Sequence, residues 1–522
     1  MKKLTIYLLS VLLFISSMAQ AQKKPNIIFI MSDDHTSQAI GAYGGILSNL
    51  NPTPTIDKLA SEGVLFTNVF CTNSICTPSR ANIMTGQYSQ TNGVLDLSGR
   101  LKPENQYLSI EMKKLGYQTA MIGKWHLKEE PVTFDYYCVL PGQGLYHNPE
   151  FRIQGDKPWP NNTIKTEGHS TDKITDITLK WLEESRDKSK PFFLMHHYKA
   201  PHDMFENAKR YDNYLEDVEI PEPASLYFNG NHGSVATRGE NGDYVSFIGS
   251  SVSKRNPWRN MGEDMQIDQR LEGDEYTHAA YQAYLKRYLR CVKGVDDNLA
   301  RLFSYLKKEK LWDNTIIIYT GDQGFNLGEH DYIDKRWMYE ESMRMPFIVH
   351  FPKVIKESFQ SDAMINNTYF APTIIELAGG KVPNYMQGIS FKSILETGIE
   401  PDDFPQSTYY RYWMHMEHHQ NPAHFGIRTK DYKLILFYGT NYRTMKDPSN
   451  RMNYFHSFNT PVAWEFYNLK NDPQEMNNRY GDPQFIQVIT DLKKQLKSLR
   501  KELNEGDENY PKIQEIVEKN WH

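Results

Sequence analysis

Asn26-Ile27-Ile28-Phe29-Ile30-Met31-Ser32-Asp33-Asp34 is the stretch whose reading decides the fold. Ile27 to Met31 is apolar without alternation. A strand with one wet face would alternate with period two. An unbroken apolar run reads instead as a strand covered on both faces, as in a parallel sheet. The run ends in Ser32-Asp33-Asp34, so its carboxyl end delivers two acids. In parallel sheets, ligands bind beyond the carboxyl ends of the strands.

Similar segments recur outward from this one. Tyr117 to Ile122, Pro191 to His197, Thr315 to Tyr319 and Met345 to Phe351 read as further strands. Helices are expected over Thr55–Glu62, from Pro78 to Thr85 and over Thr171–Ser185. In His278–Lys310, Tyr281, Tyr284, Leu285, Tyr288, Leu289 and Val292 recur at helical spacing. Residues 203–275 are rich in Asn, Gly and Pro and read as an irregular rim. Strands alternating with helices predict an α/β fold with a mostly parallel central sheet flanked by helices. Pro383, Gly388, Pro401 and Pro405 then interrupt the pattern. Beyond them, His424–Thr429 and Tyr432–Tyr438 flank Lys430-Asp431 as an antiparallel hairpin, and Gln484–Glu502 is helical. The expected organisation is therefore a large N-terminal domain over 22–400 and a smaller C-terminal α+β domain over 401–522 with an antiparallel sheet.

The chain has 522 residues, 39% hydrophobic and 13% aromatic, which excludes a disordered chain. Mean hydropathy is −0.63, which argues against a multi-span membrane protein. Lys2 and Lys3, the apolar run Leu4–Ile15 and Ala19-Gln20-Ala21 form a secretory leader over residues 1–21, with an uncleaved anchor as the alternative. The expectation is export to a periplasm or the medium without stable membrane insertion. Loss of Lys2 and Lys3 takes the net charge from −5 to −7. With no basic stripe, no nucleic-acid partner is expected. An anionic ligand must be drawn by a local pocket. Of the four cysteines, Cys71 and Cys76 are close enough to pair, and no CxxC supports zinc.

Two constellations carry chemistry. Asp33, Asp34, Asp322 and Gln323 close two buried strands. Converging there, they offer hard oxygen ligands suited to Ca²⁺, with Mg²⁺ as the other candidate. The competing reading is capping or turn acids. Cys76-Thr77-Pro78-Ser79-Arg80 is the second. Pro78 suits a first helical turn, which puts Cys76 at a helix N-terminus that favours an anion. Arg80, four residues on, shares its face. The competing reading is a buried or disulfide-bonded Cys beside an ordinary helical Arg.

The second motif, followed by Ala81 and Met84-Thr85-Gly86, resembles the signature of the type I, formylglycine-dependent sulfatases of the alkaline phosphatase superfamily. The resemblance runs from Pro25 to about Asn478. It includes Pro25-Asn26-Ile27-Ile28, Gly123-Lys124-Trp125-His126-Leu127, Lys199-Ala200-Pro201-His202, Gly321-Asp322-Gln323-Gly324 and Tyr467-Asn468-Leu469 with Asp472-Pro473. It implies a sulfuric ester hydrolase in which a sulfatase-maturation enzyme oxidises Cys76 to formylglycine (3-oxoalanine), whose hydrated form attacks sulfur. It further implies that Asp33, Asp34, Asp322, Gln323 and residue 76 hold Ca²⁺. Arg80 would orient the nucleophile, Lys124 and Lys335 would contact sulfate oxygens, His126 would hydrogen-bond the diol and His202 would protonate the leaving oxygen. Gln323 stands where many relatives carry Asn; both offer an amide oxygen.

For substrate, the segment from Arg411 to His424 is dense in His and aromatics. It is the candidate specificity wall, with His415 and His424 as contacts; the alternative is an interdomain linker. Export and aromatic content favour a sulfated glycan: a hexosamine or galactose unit of a glycosaminoglycan, mucin or algal glycan, cleaved in exo fashion. The alternatives are an aryl or choline sulfatase, a phosphodiesterase or phosphonate monoester hydrolase of the same superfamily, and a non-catalytic glycan-binding protein.

Overall fold

The computed structural model describes residues 24–228, 230–240, 245–443 and 459–522. The expected leader lies outside them. The strand Asn26–Asp33 (β1) is buried at every position. It pairs in parallel with Phe192–Pro201 on one side and Thr315–Gly321 on the other. Gln118–Lys124 and Tyr136–Leu140 continue the parallel block beyond Phe192–Pro201. Five more strands complete a ten-stranded sheet: Phe347–His350 runs antiparallel beside Thr315–Gly321 and is followed by Val64–Phe66 and Phe359–Ser361, and antiparallel Glu150–Ile153 with Thr163–Lys165 forms the other edge. The mostly parallel α/β reading therefore holds for the centre of the sheet, while both flanks reverse direction.

The unbroken apolar run has a direct cause. Ile28 and Ile30 face the helix Gly273–Lys308, in one core with Tyr281, Tyr284, Leu285 and Tyr288. Ile27, Phe29 and Met31 face the opposite layer, which holds Ala81, Ile83, Met84, Phe370 and Ile374. Both faces of β1 are thus covered, and alternation would have put polar groups in a core.

The C-terminal region forms a separate four-stranded antiparallel sheet: Ser407–Tyr412, His424–Thr429, Tyr432–Phe437 and Ala463–Asn468. The helix Ile486–Glu502 packs on it through Ile489, Leu492 and Leu496. The hairpin around Lys430-Asp431 forms as expected, whereas the two outer strands have no alternating signal that marked them beforehand. The sheet is bound to the segment after Lys335 by a buried network. Lys433 Nζ lies 3.0 Å from Glu340 and 2.6 Å from Glu475, and Arg428 holds Glu340 at 3.1 Å. Removing one member would leave a buried charge unpaired. All four cysteines are buried and unbridged, so the Cys71–Cys76 disulfide reading is not realised.

One glycine sets the geometry of the site. Gly123 has φ 103°, and a Cβ there would stand 1.8 Å from the carbonyl oxygen of His197 on the neighbouring strand. The close approach is what lets Lys124 leave the strand end toward the acids. Gly123→Ala should cost about 3 kcal/mol or more, from strain plus the steric clash. Chemical denaturation checks this; a loss below about 1 kcal/mol would contradict the strained-packing account.

Candidate active site

In the parallel ladder Ser32 pairs with Gly321, so Asp33 and Asp322, next in each strand, leave the sheet side by side. Asp34 takes a left-handed conformation at φ 63°. Its N–H donates to Asp322 Oδ1 at 3.1 Å and its carbonyl accepts the Tyr288 hydroxyl at 2.7 Å, which fixes the turn. One oxygen from each of Asp33, Asp34 and Asp322 lies within 4.8 Å of the others, and all three residues are buried. Gln323 joins them: its Nε2 donates to Asp322 Oδ1 at 2.8 Å, while its buried Oε1 has no hydrogen-bond donor among the described residues.

Three buried cations face the three acids. The helix Cys76–Thr85 begins at Cys76, two residues earlier than Pro78 had suggested, with Ile75 as its N-cap. Arg80 on this helix places Nη2 2.9 Å from Asp322 Oδ2 and 3.2 Å from Asp33 Oδ1. Its Nη1 donates to the carbonyl of Lys124 at 2.7 Å. Lys124 Nζ donates to Asp33 and, at 2.5 Å, to Gln143 Oε1. Lys335 Nζ lies 2.6 Å from Asp34 Oδ2. Cys76, at the helix N-terminus, is close enough to Asp322, Arg80 and Lys335 for charge on its sulfur to be felt by each.

The electrostatics follow. Burial alone would raise Asp33, but Lys124, His202 and Arg80 outweigh it and hold the carboxyl well below its usual range. Burial raises Asp34 to about 7 against the pull of Lys335. Burial and the neighbouring Asp33 raise Asp322 to about 8 despite Arg80. Three clustered carboxylates resist being ionised together, and this demand for positive charge is what a divalent cation meets. The donor set fits such an ion: buried oxygens only, including the orphaned Gln323 Oε1.

His202 follows the strand Phe192–Pro201, with Nε2 3.8 Å from Asp34 Oδ2. Its Nδ1 is held by Asp203 Oδ1 at 2.5 Å. His126 is half-buried at φ 56°, beside Thr77 of the helix Cys76–Thr85, whose hydroxyl donates to the His126 carbonyl at 3.2 Å. Burial and then Lys124 push its pKa well down, so its ring is neutral. The structure thus brings together Asp33, Asp34, Cys76, Arg80, Lys124, His126, His202, Asp322, Gln323 and Lys335.

His415 and His424 are used differently. His415 Nδ1 accepts the Ala423 N–H at 3.1 Å and so braces its own loop. His424 is wedged among Tyr410, Tyr412 and Phe437 and stacks behind Trp337. It is His419 of this segment that reaches the groups around Lys335, at 3.3 Å from Asp334 Oδ2.

Several site groups escaped the sequence reading. Asp203 directly follows His202, and Asp334 and Arg336 flank Lys335; adjacency to a candidate was the available signal. Arg336 Nε lies 2.8 Å from Asp334 Oδ2. Yet Arg336 Nε and Nη1 and Asp334 Oδ2, all buried, make no well-aligned hydrogen bond among the described residues. Lys199 lies 4.5 Å over the Tyr146 ring, its pKa lowered to about 8 by burial and then by Lys124. Gln143, in an irregular turn, carried no signal.

Comparison with known proteins identifies the family. The sulfatase family profile matches residues 25–380, and the N-sulphoglucosamine sulphohydrolase C-terminal profile matches 328–502. An N-acetylglucosamine-6-O-sulfatase of Bacteroides thetaiotaomicron is 38% identical, over 93% of this chain and 88% of its own length. A solved structure in complex with its substrate D-glucosamine-2-N,6-O-disulfate superposes with a TM-score of 0.79 at 36% identity, over 93% of this chain and 99% of that one. A phosphonate monoester hydrolase from Silicibacter pomeroyi shares the fold at a TM-score of 0.68 and 19% identity, over 91% of this chain and 95% of its own. Matched by the sulfatase profile over most of its length, and by a relative aligned nearly end to end, the chain belongs to the sulfatase family and is a sulfuric ester hydrolase.

Proposed function

We propose that this protein is an exported, exo-acting carbohydrate O-sulfatase that removes the 6-O-sulfate of a glucosamine-type sugar, as the names of its similar proteins suggest for them. The observation that carries the chemistry is the buried cluster of three carboxylates and an orphaned amide oxygen beside the helix N-terminus that bears Cys76. A thiol sits poorly among ligands chosen for a hard cation, whereas an oxygen at residue 76 completes the set. Oxidised by a maturation enzyme, residue 76 would supply a hydrated aldehyde as nucleophile, and Ca²⁺ held by Asp33, Asp34, Asp322 and Gln323 would supply Lewis acidity there.

The remaining side chains have roles that follow from their placement. Arg80 ties Asp33 and Asp322 to the nucleophile helix and fixes their spacing. The ammonium groups of Lys124 and Lys335, beside Asp33 and Asp34, would bind sulfate oxygens and stabilise the charge that grows on them. Neutral His126 can donate or accept a hydrogen bond at residue 76. His202, held through Nδ1 by Asp203, directs Nε2 to the site and gives its proton to the departing sugar oxygen. Arg336 and Asp334 supply a donor and an acceptor for sugar hydroxyls beside the sulfate site. The aromatic segment Trp337-Met338-Tyr339, packed on the C-terminal sheet, holds that pair and Lys335 in place.

His202→Ala should therefore slow sugar sulfates by about 10²–10⁴-fold and slow an activated aryl sulfate, whose phenolate needs no proton, far less. Equal losses on both substrates would remove the general-acid role. The test of the function as a whole is sulfate release from defined sulfated mono- and disaccharides by protein co-expressed with a maturation enzyme, with mass spectrometry of residue 76. Turnover of a 6-O-sulfated hexosamine supports the reading. Conversion of residue 76 with hydrolysis of phosphate or phosphonate esters alone would replace it with the activity of the fold's other members.

A further inference from the structure

We propose that Tyr146 and Lys199 are positioning residues for the general acid: Tyr146 grips the backbone of His202, and Lys199, lying over the Tyr146 ring, holds that grip in place. Both roles rest on the general-acid reading of His202 given above.

The strand that leads to His202 slips out of register beside the acids. Ser32 of β1 pairs with Tyr198, but Asp33 pairs with Pro201, so Lys199 and Ala200 bulge out between them. Bulges re-aim side chains next to active sites. The chain then turns sharply, and the His202 N–H donates to the Lys199 carbonyl at 3.1 Å. The imidazole that leaves this turn is held at Nδ1 by Asp203, 2.8 Å from its carbonyl oxygen and 2.5 Å from Oδ1, with Nε2 3.8 Å from Asp34 Oδ2. Asp203 is the next residue in the chain and travels with His202. It can set the tilt of the ring, but it cannot fix the place of the turn.

That place is fixed from a distant segment. Tyr146, 56 residues earlier, donates its hydroxyl to the His202 carbonyl. Tyr146 is itself buried and anchored: its carbonyl accepts the Ser170 N–H at 2.7 Å, at the start of the helix Ser170–Lys180. Its ring stacks on His169 at 5.5 Å between centroids, and His169 Nε2 meets the Glu206 carbonyl at 2.9 Å. Lys199 closes the arrangement, with Nζ 4.5 Å from the centre of the Tyr146 ring. Lys199 is buried, and its ammonium makes no ion pair or hydrogen bond among the described residues. The ring face is the partner that the structure gives it, and a desolvated cation over a ring is held there by the ring's quadrupole. The cation also draws electron density from the phenol, which strengthens the O–H as a donor to the His202 carbonyl. The turn that carries the acid is thus held at both ends, by Lys199 where it begins and by Tyr146 where it closes.

The test uses matured full-length enzyme with glucosamine-6-O-sulfate and para-nitrophenyl sulfate. Y146F, which removes only the hydroxyl, should lower kcat on the sugar sulfate by about 10-fold and change the aryl sulfate by less than about threefold, because displacing an acid matters only where the leaving oxygen needs a proton. K199M should act in the same direction, and K199R, which keeps a cation on the ring, should recover part of the loss. In an H202A background, Y146F should add a loss of less than about twofold on the sugar sulfate, since a residue that acts through His202 then has nothing to position. Equal losses on both substrates, as removal of a sulfate ligand would give, overturn the proposal. So do additive losses in the double variant, or a Y146F enzyme as fast as the wild type on the sugar. Equal losses on both substrates in H202A itself would defeat the general-acid reading and this inference together, whereas a selective loss in H202A with an unselective one in Y146F defeats this inference alone.

Discussion

Cys76→Ala should abolish sulfate release, by about 10⁵-fold or more, while the protein folds and melts much like the wild type. The two halves of this expectation have separate causes. Cys76 opens the helix Cys76–Thr85, is buried and makes no disulfide. Alanine suits a helix and leaves only the space of one sulfur, a cost of about 1 kcal/mol. The chemistry has no substitute nucleophile, and removing a nucleophile from an assembled site costs rate by about six orders of magnitude in well-studied hydrolases. Initial rates on a 6-O-sulfated sugar, with melting curves of both proteins, decide the matter. Turnover near the wild-type rate would end the formylglycine account.

The second large effect is expected at the acid cluster. Asp322→Asn keeps the size of the side chain and one acceptor for Arg80, but removes the charge that a cation needs. Activity should fall by about 10³-fold or more, because both nucleophile activation and sulfate charge depend on the ion. A second readout is independent of catalysis. Ca²⁺ at about 100 times its dissociation constant should stabilise the wild type by about 2.7 kcal/mol, a rise in melting temperature of roughly 2–3 °C that chelation reverses. The variant should show little or none of that rise. A wild-type melting temperature indifferent to both Ca²⁺ and chelator would refute the metal assignment.

How far the site was legible depends on where each residue's partners lie. Asp33, Asp34 and Asp322 could be read because each follows an apolar run long enough to identify a buried strand, and strand ends converge in a parallel sheet. Cys76 and Arg80 could be read because helical spacing puts them on one face. His202 and Lys124 were recognisable through ordered motifs. The counter-charges were not legible. Nothing local says that Lys335 pairs with Asp34 across a separation of 301 residues, or that Lys124 shares Asp33 with Arg80. The His-rich segment shows the limit most clearly. Composition marked it as a substrate wall, but the fold uses His415 to brace a loop and His424 to back Trp337, and brings His419 to Asp334.

The amino-acid sequence by itself determined most of the parallel centre of the sheet, the main helices that cover it, the acids at its carboxyl edge and the helix that carries Cys76, because periodicity and strand-end position are local properties of a chain. Only the tertiary structure decided which cation answers which carboxylate and which histidine meets the site. Those choices are made by contacts between segments hundreds of residues apart, whose energies depend on burial and distance that no local pattern encodes.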